Sequence, residues 1–318
     1  MMDWTDRHCR WFHRQLSHRL ELYTEMVVAD AVIHGPRERL LGFDDIEHPV
    51  VLQIGGSDPN KLAEASKVGE SYGYDAININ IGCPSDRVQS GRFGACLMAE
   101  PDLVAQCFSK MKSSVSVPVT VKCRLGIDEQ DLQKTLPEFI SKVSAAGCET
   151  FIIHARKAWL KGLSPKENRD VPPLDYNLVH QIKADYPHLK IELNGGLTDI
   201  KASVVESEGL DGFMIGRAAY HTPWILTDID SVVYGDVPFE LTRDDIVMRL
   251  IKYLKGVESE DRSAKALLRH IMGLYSGEAG ARTWRRSLSE GASSGENPSA
   301  VLEKAYDAYR ITANELAA

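Results

Sequence analysis

The sequence predicts an α/β protein of the (β/α)8 TIM-barrel class, followed by a small C-terminal helical domain. Three observations lead there. Short Val/Ile-rich runs alternate with amphipathic stretches at about 25–40 residues per pair, as βαβ units require. The runs are nearly continuously apolar, as strands covered on both faces of a parallel sheet are. Polar residues close each run, at the end where a barrel builds its active site.

The elements follow in order. A loop, MMDWTD, leads into a helix over Arg7–Leu20. Seven runs read as strands: Leu22–Val28, Val50–Ile54, Ala76–Ile81, Val117–Cys123, Thr150–His154, Lys190–Asn194 and Gly212–Ile215. Between them lie amphipathic stretches at Asn60–Tyr72, Pro101–Met111, Leu132–Ala146, Leu174–Tyr186 and Asp199–Glu208. A barrel needs eight strands. The chain therefore reads as a barrel entered just after its first strand, through a mis-assigned start. An open flavodoxin-type sheet is the second reading. After Pro238 only helical periodicity remains, at Asp244–Val257, Arg262–Tyr275, Gly280–Leu288 and Pro298–Leu316. Thr242, followed by Asp244 and Asp245, marks a helix start. The expected division is a barrel over residues 1–238 and a helical domain over 239–318.

Composition excludes several classes. The chain has 318 residues, 43% hydrophobic and 26% charged, so it is neither disordered nor fibrous. No apolar run approaches a membrane span. The N-terminus lacks the pattern of a signal peptide. Six cysteines without paired spacing suggest reduced thiols in the cytoplasm. No CxxC occurs, so no metal is expected. A net charge of −8 argues mildly against a nucleic-acid partner.

The strand ends carry Glu25, Gln53, Asn78, Asn80, Lys122, Arg124, His154, Arg156, Asn194, Gly216 and Arg217. Asn194-Gly195-Gly196 closes one run and Gly216-Arg217 the next. Each glycine alone fits a tight turn. Two such loops at the last two strands fit a phosphate site, with Arg217 as the ion-pair partner. Lys122 fits three roles besides a salt bridge: a Schiff base, a phosphate contact, or a counter-charge to a cofactor ring. The Gln53 amide suits the edge of a heterocycle. His154 suits a ligand contact, although a lone histidine is often structural.

Asn80-Ile-Gly-Cys83-Pro84-Ser85 turns the chain at a strand end and sets Cys83 above the barrel mouth. Asp86–Ala95 after it reads as a mobile loop. A cysteine there suits a nucleophile or a proton donor. Cys9, Cys107, Cys123 and Cys148 fit packing, and Cys96 is the one competitor.

These segments together resemble the flavin-dependent tRNA-dihydrouridine synthases over nearly the whole chain. The carrying motifs are MMDWTDRHCR, LYTEMV, LQIGGSDP, ININIGCPSDRVQSGRFGACLM, PVTVKCRLGID, FIIHARKAWLKGLSPKENRDVPPLDY, LNGGL, GFMIGRAAY and GARTWRR. The GCPS and HARKAWLKGLSPKENR segments resemble the A subfamily, which acts around position 20 of tRNA. The resemblance implies FMN at the mouth of a barrel, with NADPH (or NADH) as its reductant. It implies flavin contacts at Gln53, Lys122 and His154, and phosphate contacts at Asn194, Gly195, Gly196, Gly216 and Arg217. Cys83 matches the proton donor. Asn80, Lys166, Arg169, Arg282 and Arg285 match tRNA contacts. Met1 matches the last residue of the family's Ala-Pro-Met, which touches the flavin. Residues before it are absent here, so weak FMN binding or poor expression is expected.

The implied chemistry is reduction of the C5=C6 bond of uridine at position 20 and/or 20a of the D-loop. Hydride comes from flavin N5 and the proton from Cys83. A thiol near its usual pKa of about 8.5 is mostly protonated at pH 7 and can serve as an acid. The target base must leave its stack, which costs a few kcal/mol. Two other classes compete: a flavin-barrel oxidoreductase on a free pyrimidine such as dihydroorotate, and a non-catalytic RNA-binding module. The helical domain and its arginines argue against the first. The polar strand ends and phosphate loops argue against the second. A monomer is expected.

The charge is unevenly spread. Residues 154–170 carry five Lys/Arg against two Asp/Glu, and residues 261–290 six against three. RNA binding depends on such local surfaces rather than on the whole-chain sum. The expectation is a basic cleft on a mostly acidic body.

Overall fold

The computed structural model describes residues 1–317. The chain forms two compact units. The first comprises residues 1–2, 21–197 and 201–216, and the second residues 3–20, 198–200 and 217–318.

The first unit is built on one parallel sheet of the (β/α)8 type, as the sequence predicts. Its strands are β1 (Leu22–Tyr23), β2 (Val27–Val28), β3 (Val50–Gly55), β4 (Ala76–Ile81), β5 (Val119–Arg124), β6 (Thr150–His154), β7 (Lys190–Asn194) and β8 (Gly212–Met214). They pair in the order β1-β3-β4-β5-β6-β7-β8, with β2 also on β3. In β5 the alternation of side chains explains the run VTVKCR. Val119, Val121 and Cys123 are buried on one face, while Thr120, Lys122 and Arg124 share the other. Helices Pro59–Ser71, Pro101–Lys112 and Leu132–Ala145 follow β3, β4 and β5. Asp58 caps the first by accepting from Asn60 N at 2.8 Å and Lys61 N at 3.1 Å.

The predicted strand Leu22–Val28 is two pieces. Leu22 pairs with Val50 but Val27 with Ile54, so five steps on one strand face four on the other. That is a bulge. The Thr24 hydroxyl fills the gap in the ladder, accepting from Gln53 N at 3.0 Å and donating to Glu25 O at 2.7 Å. Two short helices, Ala29–His34 and Arg37–Leu41, follow where none is predicted. Asp86–Ala95, expected as a loop, contains the helix Asp86–Ser90.

The second unit is helical. Its first helix spans Arg7–Arg14 rather than running to Leu20. It stops because two side chains take over its backbone groups. Arg14 donates to Ser17 O at 3.0 Å and to Leu20 O at 2.7 Å. Asp230 accepts from His18 N at 2.8 Å and Arg19 N at 3.3 Å, and from the Ser17 hydroxyl. The stretch predicted as one helix, Arg262–Tyr275, is a 3-10 turn and the short helix Leu267–His270. Gly273 beyond it lies so close to the His221 carbonyl that no Cβ fits. Helices Arg243–Val257, Ala281–Gly291 and Pro298–Ala317 enclose a core around Trp284, Leu250, Leu254 and Leu302.

Candidate active site

Strand register gathers the polar strand ends of the first unit. Gln53 faces Asn78 and Asn78 faces Thr120; Asn80 faces Lys122; His154 faces Arg124 on one side and Asn194 on the other. Because β strands alternate, Gln53, Asn78, Asn80, Thr120 and Lys122 share one face of the sheet.

Lys122 donates from Nζ to Asn194 Oδ1 at 3.0 Å. Asn194 in turn donates from Nδ2 to Met214 O at 2.7 Å. Burial, then the nearby Arg124 guanidinium, pushes the Lys122 ammonium down to about 8. Burial holds His154 well below the usual imidazole range, and Arg124, Lys122, Arg156 and Arg169 reinforce this. His154 is thus neutral in a cationic setting. Such a set of cations suits an anionic ligand.

Gly195 and Gly196 follow Asn194 with φ of +105° and +74°. A Cβ on Gly195 would lie 2.5 Å from His154 Cδ2. Only glycine lets the loop pass there. Tyr176 holds it by donating to Gly195 O at 2.6 Å. Gly216 closes the first unit, and the space beside its Cα is faced by Met1 Sδ, 3.6 Å from where a Cβ would stand. Arg217 opens a helix of the second unit.

Cys83 is half-buried in the loop after β4. Its backbone is fixed on every side. Asn80 Oδ1 accepts from Gly82 N and Cys83 N, each at 3.0 Å. Ala95 N donates to Cys83 O at 2.9 Å, and Arg124 Nε donates to Gly82 O at 2.9 Å. The Cys83 thiol donates to Ser85 Oγ at 3.6 Å. Gln89 Nε2 donates to Pro84 O at 2.8 Å and to Leu160 O at 2.9 Å, fastening this loop to the one after β6.

The loop after β6 carries Lys166, exposed, and Arg169, half-buried, around the 3-10 turn Glu167–Arg169. Asn168 organises it from within, accepting from Trp159 N at 2.7 Å and donating to Trp159 O at 2.9 Å. Arg124 bonds to the carbonyls of Lys157 and Asn168 in the same loop. In the second unit, Arg282 and Arg285 are exposed on Ala281–Gly291, whose Trp284 and Leu288 are buried.

The structure thus brings Gln53, Asn80, Cys83, Lys122, His154 and Asn194 together and leaves Arg282 and Arg285 in another unit. Sequence reasoning missed Thr120, Gln89, Asn168 and Tyr176. Thr120 had a signal, since it lies two residues before Lys122 on one strand face. The others depend on loop contacts. Among the described residues, no group of three or more His, Cys, Asp or Glu side chains could hold a metal ion. No helix among them is long and apolar enough to cross a membrane.

Three kinds of likeness to known proteins accompany this geometry. The dihydrouridine synthase family profile matches residues 1–310. A Vibrio cholerae protein named tRNA-dihydrouridine(20/20a) synthase is 51% identical over 95% of this chain and 92% of its own length. Proteins of the same name are 51% identical in Xanthomonas campestris pv. campestris, over 92% of this chain and 87% of theirs, and 47% identical in Synechocystis, over 98% and 93%. A solved 2-naphthoyl-CoA reductase complex aligns with a TM-score of 0.54 at 10% identity, over 72% of this chain and 47% of that one. That likeness speaks to the fold alone.

Proposed function

The chain belongs to the dihydrouridine synthase family, and on that premise we propose that it reduces the C5=C6 bond of uridine at position 20, 20a or both in the D-loop of tRNA. One observation carries the reading: relatives named for that activity match at about half identity over nearly their whole length. The family is flavin-dependent. We take FMN as the flavin and NADPH, or NADH, as its reductant. We take the enzyme to act on tRNA in the cytoplasm, and as a monomer.

The residues of the first unit fit a flavin. A half-buried lysine, a pair of amides and a glycine loop of positive φ match a ring that carries charge, an imide edge and a phosphate tail. Gln53, Lys122, His154 and Met1 would hold the ring. Asn194, Gly195, Gly196 and Gly216 would hold the chain that ends in phosphate, with Arg217 as the expected ion-pair partner. When bound and reduced, the flavin supplies the hydride that arrives at C6.

The protein supplies the rest. Lys122 holds negative charge at the ring. Asn80 fixes the backbone of Cys83. The Cys83 thiol gives its proton at C5 and remains as thiolate; that proton balances the hydride at C6. Lys166 and Arg169 in the first unit, and Arg282 and Arg285 in the second, are proposed as contacts to tRNA phosphates. The extruded base costs a few kcal/mol, less in a loop already partly unstacked.

The test is a base-by-base comparison of tRNA from a strain lacking this gene and from its parent. Loss of dihydrouridine at position 20, 20a or both is expected, with restoration by purified enzyme and NADPH. Unchanged tRNA, or turnover of free uridine or orotate instead, rejects the reading.

A further inference from the structure

Gln53 and Asn80 lie on neighbouring strands, and the orientation of both amides is dictated from outside the pair. The starting point is backbone. The N–H groups of Gly82 and Cys83 can only donate, and both meet Asn80 Oδ1. Asn80 must therefore turn Nδ2 away from that loop, and it donates to Gln53 Oε1 at 2.7 Å. Gln53 then donates from Nε2 to Asn78 Oδ1 at 2.9 Å. Asn78 donates from Nδ2 to Thr120 Oγ1 at 2.8 Å.

Every donor in this row points the same way, from the Cys83 loop towards Thr120. Flipping Asn80 or Gln53 sets donor against donor and acceptor against acceptor at its neighbours, and flipping Asn78 sets donor against donor at Gln53. Asn78 is fully buried and Thr120 nearly so, so water does not relieve such a mismatch.

The count of unused groups then follows. An amide has two N–H donors and two lone pairs on oxygen. Asn80 Oδ1 is filled by two backbone N–H groups, and one Nδ2 hydrogen remains. Gln53 retains one lone pair on Oε1 and one hydrogen on Nε2. The pair is left with donor, acceptor, donor. A cyclic imide presents the complement: carbonyl, N–H, carbonyl. The pyrimidine ring of a flavin and the base uracil share that edge.

We propose that Asn78 and Thr120 are positioning residues that hold the Gln53 amide from the far end of the row, completing the orientation that the Cys83 loop imposes through Asn80, so that the Gln53–Asn80 pair recognises a cyclic imide. This rests on the flavin and uridine reading of the same site. Neither Asn78 nor Thr120 need touch the ligand; they act through Gln53. The flavin and the target uridine are the two possible sources of the imide, and the test separates them.

The experiment measures binding, not turnover. Apoprotein is titrated with FMN and with N3-methyl-FMN, which lacks the imide N–H, by quenching of flavin fluorescence. In a second arm, a tRNA transcript with uridine at the target position is compared with one carrying 3-methyluridine. The protein is expected to prefer the unmethylated ligand about tenfold or more in one arm, and that arm names the source. In Asn78→Ala and Thr120→Val the unmethylated ligand weakens severalfold while the methylated one does not change. Asn78→Asp keeps an acceptor towards Gln53, and Thr120→Ser keeps the hydroxyl; both retain the preference. A purely structural defect weakens both ligands alike. If Asn78→Ala does not fold, the near-isosteric Thr120→Val carries the test. No preference in either arm, or a preference unchanged by both disrupting variants, overturns the proposal. Failure to bind FMN at all would instead count against the flavin reading itself.

Discussion

The two ends of one set of strands carry opposite electrostatics. At the carboxyl ends, Lys122, Arg124, Arg156 and Arg169 surround a neutral His154. At the amino ends, Glu21 and Asp211 lie near Glu192, and Glu21 and Glu192 lie near Tyr23. Burial pushes both sets towards neutrality: Lys122 down to about 8, Glu192 up to about 7. The difference lies in what relieves them. Asp211 is ion-paired with Lys183 at 2.8 Å and accepts from Ile191 N at 2.8 Å. Lys122 is bonded to a neutral amide, Asn194. At the floor Asp211 is relieved by such a pair while Glu192 is left to hold a proton, whereas the mouth is arranged for a ligand that brings negative charge. In barrels that contrast separates stability from chemistry.

The largest effect expected at the mouth is from Cys83→Ala. It should lower dihydrouridine formation by about 100-fold or more, the usual scale for a positioned general acid. Reduction of the flavin by NADPH should persist, because no proton from Cys83 enters that half-reaction. Stopped-flow reduction and single-turnover oxidation by tRNA read the two halves separately. A variant that forms product at the normal rate would remove Cys83 from the role.

Next comes Lys122→Met, which keeps the stem and deletes the charge. A decrease of about ten- to 100-fold in turnover is expected, from the loss of one electrostatic contact in a buried site. The sign with pH follows from the lowered value. Lys122 is cationic below about pH 8 and neutral above it, so turnover should fall as pH rises through that range. In Lys122→Met this alkaline limb should vanish. A limb retained in the variant would assign it to another group and dissolve the contrast between the two ends.

Much of this was legible in the sequence, for reasons visible in particular residues. In VTVKCR the outward Val119, Val121 and Cys123 declare a covered strand, and Lys122 declares the mouth. Asn194-Gly195-Gly196 announces a turn that only glycine permits. The bulge between β1 and β2 was not legible, because Thr24 acts by filling a ladder position on β3. Neither was the end of the first helix, which depends on Asp230 more than 200 residues away. The amide lock was hidden for the same reason. Gln53, Asn78 and Thr120 lie on three strands, and only the register places them in one row.

The floor yields the smallest effect and the sharpest check on the contrast. Burial, then Glu21 and Asp211, raises the Glu192 carboxyl from its ordinary 4.5 to about 7, against a weaker opposing pull from Lys190. Between those values the folded protein binds more protons than the unfolded chain, so stability falls as pH rises. The loss should be complete just above pH 7. The full shift would correspond to about 3 kcal/mol, and partial solvent contact reduces it to roughly 1–3 kcal/mol. Glu192→Gln cannot ionise. Compared with the parent in urea unfolding, it should be equally stable near pH 4.5 and more stable at pH 8 by that amount. Turnover at pH 7 should stay within about twofold, because the floor of a barrel carries stability rather than chemistry. Parallel stability curves for the two proteins would mean that the floor holds its charge without strain. The two ends would then differ only in sign, and the mouth would no longer be the end reserved for a ligand.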